Sequence, residues 1–210
     1  MDDYICIFDN VFNDTSKIDS LYDYLLAEPD LNYFCEKDKI LNFNEGEEYF
    51  NHSSVFKHIW DKHASHFDTN KKTLYFEMWY NHSHGAYHVD KDEGHYDLNN
   101  EIISPIFSSV FFLGPSEPIS GGDLYINTLG MSALDEFERP KTKHNILNVD
   151  GPEWVKIDFR YNRLVVFDPR YPHVVSPIIC ENEKLPRTSI ALNPWDKPLV
   201  EGTPYGYFNK

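Results

Sequence analysis

The chain has few cysteines and no pattern among them. Cys6, Cys35 and Cys180 are widely separated, odd in number and outside any CxxC spacing. That excludes a disulfide framework and a zinc ribbon, and points to a reducing, cytoplasmic setting. Long hydrophobic runs are lacking too. No stretch approaches a membrane-spanning helix, and the apolar run in the acidic start MDDYICIFDN is too short for a signal peptide. Positive charge is scarce: 19 Lys and Arg face 34 Asp and Glu, a net charge of −15. The deficit argues against a nucleic-acid partner, whose phosphates are bound by displacing counterions with cationic side chains. It argues equally against an anionic membrane surface, and no basic stripe with interleaved aromatics offsets it.

What is present is a foldable, aromatic-rich interior. Hydrophobic residues make up 41% and aromatics 16%, too many for a disordered acidic chain. At 210 residues the length suits one domain, residues 1–210. Residues 4–8 (YICIF) read as a strand. A helix follows, capped by Asp14 or Thr15, with Ile18, Leu21, Tyr22, Leu25 and Leu26 at helical spacing and Pro29 as its stop. A second helical stretch is expected around 53–66, where Val55, Phe56, Ile59 and Trp60 share a face. This helical preface covers about residues 1–70.

From Leu74 the pattern shortens into β-rich runs: 74–80, 86–90, 106–114, 123–127, 153–159, 163–168, 173–178 and 187–195. Gly, Pro, Asn and Asp punctuate them, as they do between strands. The pattern predicts a mainly β fold, a sandwich or jelly roll with helices outside and a β core over about 74–195. Segment 129–152 lacks alternation and reads either as a lid-like insertion or as a solvated excursion. The tail 196–210 reads as an irregular strap.

Among ten histidines, His52, His58, His63 and His66 fall in the helical region and need no function. His88 has a partner. Residues two apart in a strand share a face, so Ala86, His88 and Asp90 would form an inward set carrying an imidazole and a carboxylate. A second imidazole comes from RLVVFDPRYPHVVSPI, where a turn through Asp168 and Pro169 leads to His173. Two histidines and one carboxylate make the facial triad of non-heme Fe(II) sites, which leaves the opposite positions open. A different metal site built on His82, His84 and His88 is the alternative. In LPRTSIAL, Arg187 and Ser189 share a strand face and offer a planar guanidinium and a hydroxyl, suited to the far carboxylate of a metal-chelating dicarboxylate. His95 is a candidate substrate contact or a surface residue. Tyr80 and Tyr87 flank the motif, and each is either core or a hydrogen-bond donor to that dicarboxylate.

Taken together, WYNHSHGAYHVD, SGGDLYI, RLVVFDPRYPHVVSPI and RTSIALNPW resemble, in order, the motifs of the 2-oxoglutarate/Fe(II)-dependent dioxygenase superfamily, in its prolyl-4-hydroxylase-like branch. The resemblance spans about residues 75–195. It implies a double-stranded β-helix core and Fe(II) bound by His88, Asp90 and His173. It further implies 2-oxoglutarate as cosubstrate held by Arg187 with Ser189, and by Tyr80 if that phenol donates. O₂ would be the oxidant, an unactivated C–H bond would be hydroxylated, and succinate and CO₂ would be co-products. Because Asp90 is present, hydroxylation is implied over halogenation. The expected substrate is a small amino-acid-like or peptidyl molecule. Carboxylates in and after the motif (Asp90, Asp92, Glu93, Asp97) favour a cationic or zwitterionic one. The competing readings are a non-catalytic jelly-roll metal- or ligand-binding module and a plain interaction protein.

Overall fold

The computed structural model describes residues 4–27, 32–41, 50–67, 72–82, 86–133, 149–180 and 185–200. It opens with β1 (Ile5–Asp9) and helix α1 (Ser16–Ala27). Asp14 Oδ1 accepts the Ser16 N–H at 3.0 Å, meeting one of the donors that a helix start leaves unpaired. Ile18, Leu21, Tyr22 and Leu25 form the buried stripe of α1, at the spacing the sequence predicts. Strand β2 (Asn32–Glu36) leads into α2 (Lys37–Leu41), and α3 (Phe50–Ile59) runs on through a π-helical turn at Trp60–Ala64. Strand β1 falls where the sequence places a strand, while β2 is an addition to the helical preface, and both join the main sheet. Pro29 lies outside the described residues.

The remaining strands are β3 (Tyr75–Asn81), β4 (Ser108–Gly114), β5 (Ser120–Gly121), β6 (Leu124–Asn127), β7 (Trp154–Ile157), β8 (Arg163–Phe167), β9 (His173–Val175), β10 (Ile178–Cys180) and β11 (Thr188–Trp195). A six-stranded sheet has the order β1-β8-β4-β11-β3-β2, a three-stranded sheet the order β7-β6-β9, and β10 pairs with β5. Every pairing is antiparallel. The fold is mainly β, as the sequence predicts.

Two segments differ from expectation. Residues 86–90 form no continuous strand and make a single bridge, His88 to His173. The acidic stretch after the motif is helix α4 (Glu93–Asn99), capped by Asp92, whose carboxylate accepts the His95 N–H. Its sequence, EGHYDLN, carries no apolar stripe, so periodicity does not reveal it. Asp92 also accepts the Val200 N–H at 3.1 Å, so residues 196–200 of the strap are tied to the cap. The remainder of the strap and residues 134–148 of the 129–152 segment lie outside the described residues. Gly130–Ala133 make a 3₁₀ turn.

The two faces of the large sheet do different work. Phe76, Met78, Tyr80, Phe111, Leu113, Leu164, Val166, Ile190 and Leu192 face the helices and pack with Leu21, Phe56 and Trp60. Val110, Phe112, Val165 and Phe167 face the small sheet and pack on Leu124, Ile126 and Val175. Each such side chain contributes about 1.5–3 kcal/mol when fully buried. Between the sheets, cross-strand partners form rows, since directly opposed residues point to one face. Ser189 lies between Phe112 and Asn81, and Ala191 between Val110 and Trp79. One step further along, Asn193 pairs with Glu77 and Ser108 with Phe167. Among the described residues, no helix is long and apolar enough to cross a membrane.

Candidate metal centre

His88, Asp90 and His173 converge, with one ligand atom from each lying within 4.8 Å of the others. The bridge between the segments of His88 and His173 brings them together. Its backbone bonds run from His88 N to His173 O at 3.1 Å and from His173 N to His88 O at 2.8 Å. Each imidazole is then oriented by the carbonyl two residues before it. His88 Nδ1 lies 2.7 Å from the Ala86 oxygen, and His173 Nδ1 lies 3.2 Å from the Tyr171 oxygen. A carbonyl only accepts, so Nδ1 carries the hydrogen on both rings and Nε2 keeps its lone pair. Both Nε2 atoms face Asp90 Oδ1, at 3.6 and 3.8 Å, beyond hydrogen-bond reach. Phe167 meets the His173 ring edge-on at 4.9 Å and braces it.

The turn before His173 is itself fixed. Asp168, fully buried, accepts from the Arg170 N–H and Nε, both at 2.9 Å. Its own carbonyl accepts the Tyr171 N–H at 3.0 Å. The expected inward set is only partly realised: Asp90 is buried and His88 half-buried, but Ala86 is exposed and contributes its carbonyl.

The electrostatics are those of a site built around a cation. Burial works to raise Asp90, yet the imidazoles of His173 and His88 hold its carboxyl well below the usual range. Burial, then the neighbouring His88, lower His173 to about 4. Burial also works against a charged His88, but the Asp90 carboxylate outweighs it and the pKa is raised. Asp90 Oδ1 is buried and has no hydrogen-bond partner among the described residues. Such an atom is costly unless something fills it. Two neutral imidazole nitrogens and one carboxylate oxygen suit a divalent transition metal such as Fe(II).

Arg187 and Ser189 meet as the sequence predicts. Arg187 Nη1 donates to Ser189 Oγ at 2.8 Å. The guanidinium is 0% exposed and sits over the rings of Phe112 and Phe159, at 5.3 and 5.6 Å. Its Nε and Nη2 are buried without a hydrogen-bond partner among the described residues, and burial lowers its pKa to about 10. A buried planar fork with unfilled donors matches a carboxylate. Gly122 makes room for it: at φ +73°, its missing Cβ would lie 3.3 Å from three Arg187 side-chain atoms. The sequence reads Gly121-Gly122 only as a turn.

The other candidates fall elsewhere. Tyr80 pairs with Ile190 and belongs to the cluster between sheet and helices, on the opposite face from Ser189, and it also lines the cavity beside His88 and Asp90. Tyr87 packs on Trp154, ring centroids 5.7 Å apart. His82 Nδ1 lies 2.9 Å from the Thr188 hydroxyl and does not join the metal group. His84 lies outside the described residues, as do the side chains of His52 and His66. His95 pairs with Glu101 at 3.1 Å on the α4 surface. Sequence reasoning missed Glu77 and Trp79. They line, with Tyr80, His88, Val89, Asp90, Lys91 and Glu93, a cavity of about 290 Å³ bordering the metal group.

No protein-family model matches the chain, and no curated protein matches it. Solved structures do resemble it. A prolyl-4-hydroxylase from Pseudomonas putida superposes with a TM-score of 0.54 at 11% identity, over 92% of this chain and 86% of that one. A non-heme α-ketoglutarate-dependent epimerase from nogalamycin biosynthesis gives 0.55 at 13%, over 92% and 77%. A prolyl hydroxylase from Trichoplax adhaerens, in complex with a hypoxia-inducible-factor peptide fragment, gives 0.50 at 15%, over 91% and 83%. At such identities the likeness is one of fold, and this chain shares the fold of these two prolyl hydroxylases and this α-ketoglutarate-dependent epimerase.

Proposed function

We propose that the chain is a 2-oxoglutarate- and Fe(II)-dependent dioxygenase that hydroxylates an unactivated C–H bond of a small amino-acid-like or peptidyl substrate. One observation carries the reading. The chain holds both a cation site (His88, Asp90, His173) and a buried anion site (Arg187, Ser189), and along β11 Ser189, Ala191 and Asn193 share a face, Asn193 standing opposite Glu77 of the cavity beside His88 and Asp90. A metal-chelating dicarboxylate needs both ends. Strand order supports a double-stranded β-helix within a single domain. The chain passes between the two sheets from β3 to the His88 bridge, back to β4, across to β6 and β7, back to β8, across to β9 and back to β11.

In this reading His88 and His173 offer Nε2 lone pairs and Asp90 its carboxylate to Fe(II). Arg187 and Ser189 grip the distal carboxylate of 2-oxoglutarate and fix its orientation. Val110, Phe112, Leu124 and Ile126 belong to the buried apolar cluster between the sheets, which would keep water from the reaction. Bound iron supplies the oxygen chemistry, by which substrate, 2-oxoglutarate and O₂ become hydroxylated product, succinate and CO₂. The fold leaves the oxidation outcome open, since an α-ketoglutarate-dependent epimerase shares it.

Anaerobic Fe(II) with 2-oxoglutarate is expected to give a weak visible charge-transfer band, and air is expected to convert 2-oxoglutarate into succinate. Metal binding without succinate would identify a non-catalytic module. Full 2-oxoglutarate turnover by His173→Ala would overturn the metal assignment.

A further inference from the structure

Glu77 is 1% exposed, yet among the described residues no ion pair joins its carboxyl group to a cation. Its one hydrogen bond there is accepted from Trp195 Nε1 by Oε2, at 3.1 Å. The pairing with Asn193 turns it between the sheets, where it lines the cavity beside His88 and Asp90. Burial, then the charge of Asp90, then Asp92 and Glu93, push its pKa well up. The cationic group bordering the cavity, Lys91, is engaged by Glu93 at 2.9 Å. Trp79, one inward position along β3, adds an aromatic wall to the same cavity. A buried carboxyl that faces a cavity without an ion-pair partner is stabilised by an incoming positive charge, and an indole wall adds attraction to a cation.

We propose that this cavity receives a cationic group of the substrate, an ammonium or a guanidinium, with Glu77 as its counter-charge and Trp79 as its flat wall. The assignment rests on the oxygenase reading for its place beside the iron. It is a specificity determinant that the acidic stretch after the motif does not itself provide. Asp92 is spent on the α4 cap, and Asp97 is exposed on the far turn of that helix. At about 290 Å³ the cavity lies near the lower end of small-ligand pockets, roughly 300–1,000 Å³. It suits one residue or its side chain.

The test titrates the protein loaded anaerobically with Fe(II) and 2-oxoglutarate, by calorimetry, with paired probes. The pairs are L-lysine against L-norleucine, L-arginine against L-citrulline, and n-butylamine against 1-butanol. In at least one pair the cation is expected to bind at least about tenfold more tightly, or about 1.4 kcal/mol. Glu77→Gln keeps an acceptor for Trp195 and is expected to reduce that preference to within about threefold. Absence of a cation preference in every pair overturns the proposal, as does a preference that survives Glu77→Gln. The wild-type comparison decides alone if the variant does not fold. A missing charge-transfer band with cation preference intact would overturn the oxygenase reading and leave the subsite standing. The band without the preference does the reverse.

Discussion

His88 and His173 are joined through the backbone itself: their main chains exchange two hydrogen bonds and their rings stand 4.4 Å apart. Both imidazoles are thus held in place by the sheet, so little ordering remains for the ion to impose. His173→Ala is expected to weaken Fe(II) or Mn(II) binding by at least about 100-fold, the upper range for losing even a supporting partner of a ligand. Metal titration followed by calorimetry measures it, and an affinity within tenfold of wild type would refute the assignment.

Arg187 leads to opposite effects with and without ligand. Its buried guanidinium has two unfilled nitrogens among the described residues, and replacing such a charge with an apolar side chain of similar volume is often neutral or stabilising. Arg187→Met should therefore leave the melting temperature of the ligand-free protein unchanged or raised. The same variant should lose about 3–5 kcal/mol of 2-oxoglutarate binding, while metal affinity stays near wild type. Undiminished 2-oxoglutarate affinity would remove Arg187 from the pocket.

Much of this centre is legible in the sequence. His88 with Asp90, and Arg187 with Ser189, stand two residues apart, and the chemistry of each pair resides in the side chains themselves. Glu77 is not legible. β3 is covered on both sides, by helices over Phe76, Met78 and Tyr80 and by the interior around Glu77 and Trp79. Its sequence YFEMWYN therefore shows no clean alternation to tell inside from outside. That ambiguity is also why the sequence does not show that Tyr80 packs with the helices while bordering the cavity. Gly122 is a turn glycine in sequence, and only its distance to Arg187 shows a second reason for it.

Gly122→Ala tests that second reason. The left-handed backbone at φ +73° costs a non-glycine residue on the order of 1–3 kcal/mol. The added methyl would press on Arg187 from 3.3 Å. Urea unfolding should show a loss in that range, and 2-oxoglutarate titration should show weakened binding. Destabilisation with unchanged binding would confine Gly122 to the turn.

Glu77 gives the metal-free protein a pH signature. Its folded pKa is raised well above the ordinary 4.5. Below that value both folded and unfolded chains hold the proton, and the group's contribution is fully present. As pH rises, the unfolded chain ionises first and stability falls until the folded pKa is passed. Glu77→Gln removes this loss. The variant should match wild type in acid and melt higher at about pH 8, as read by thermal unfolding across pH. Parallel curves would show that Glu77 ionises freely in the fold.

Ala191 stands between Val110 and Trp79, one row from Ser189 and one from Asn193. Its single methyl leaves the spacing between the two charged ends of the interior to the backbone of β11 alone. The chamber proposed for 2-oxoglutarate is thus gauged by strand geometry, and any larger side chain at that position would divide it. The wall formed by Glu77, Trp79 and the residues leading into α4 carries no such restriction. In the proposed reading, substitutions there would redirect the choice of substrate without disturbing the common oxidant, which would separate the permanent half of the site from the adjustable one.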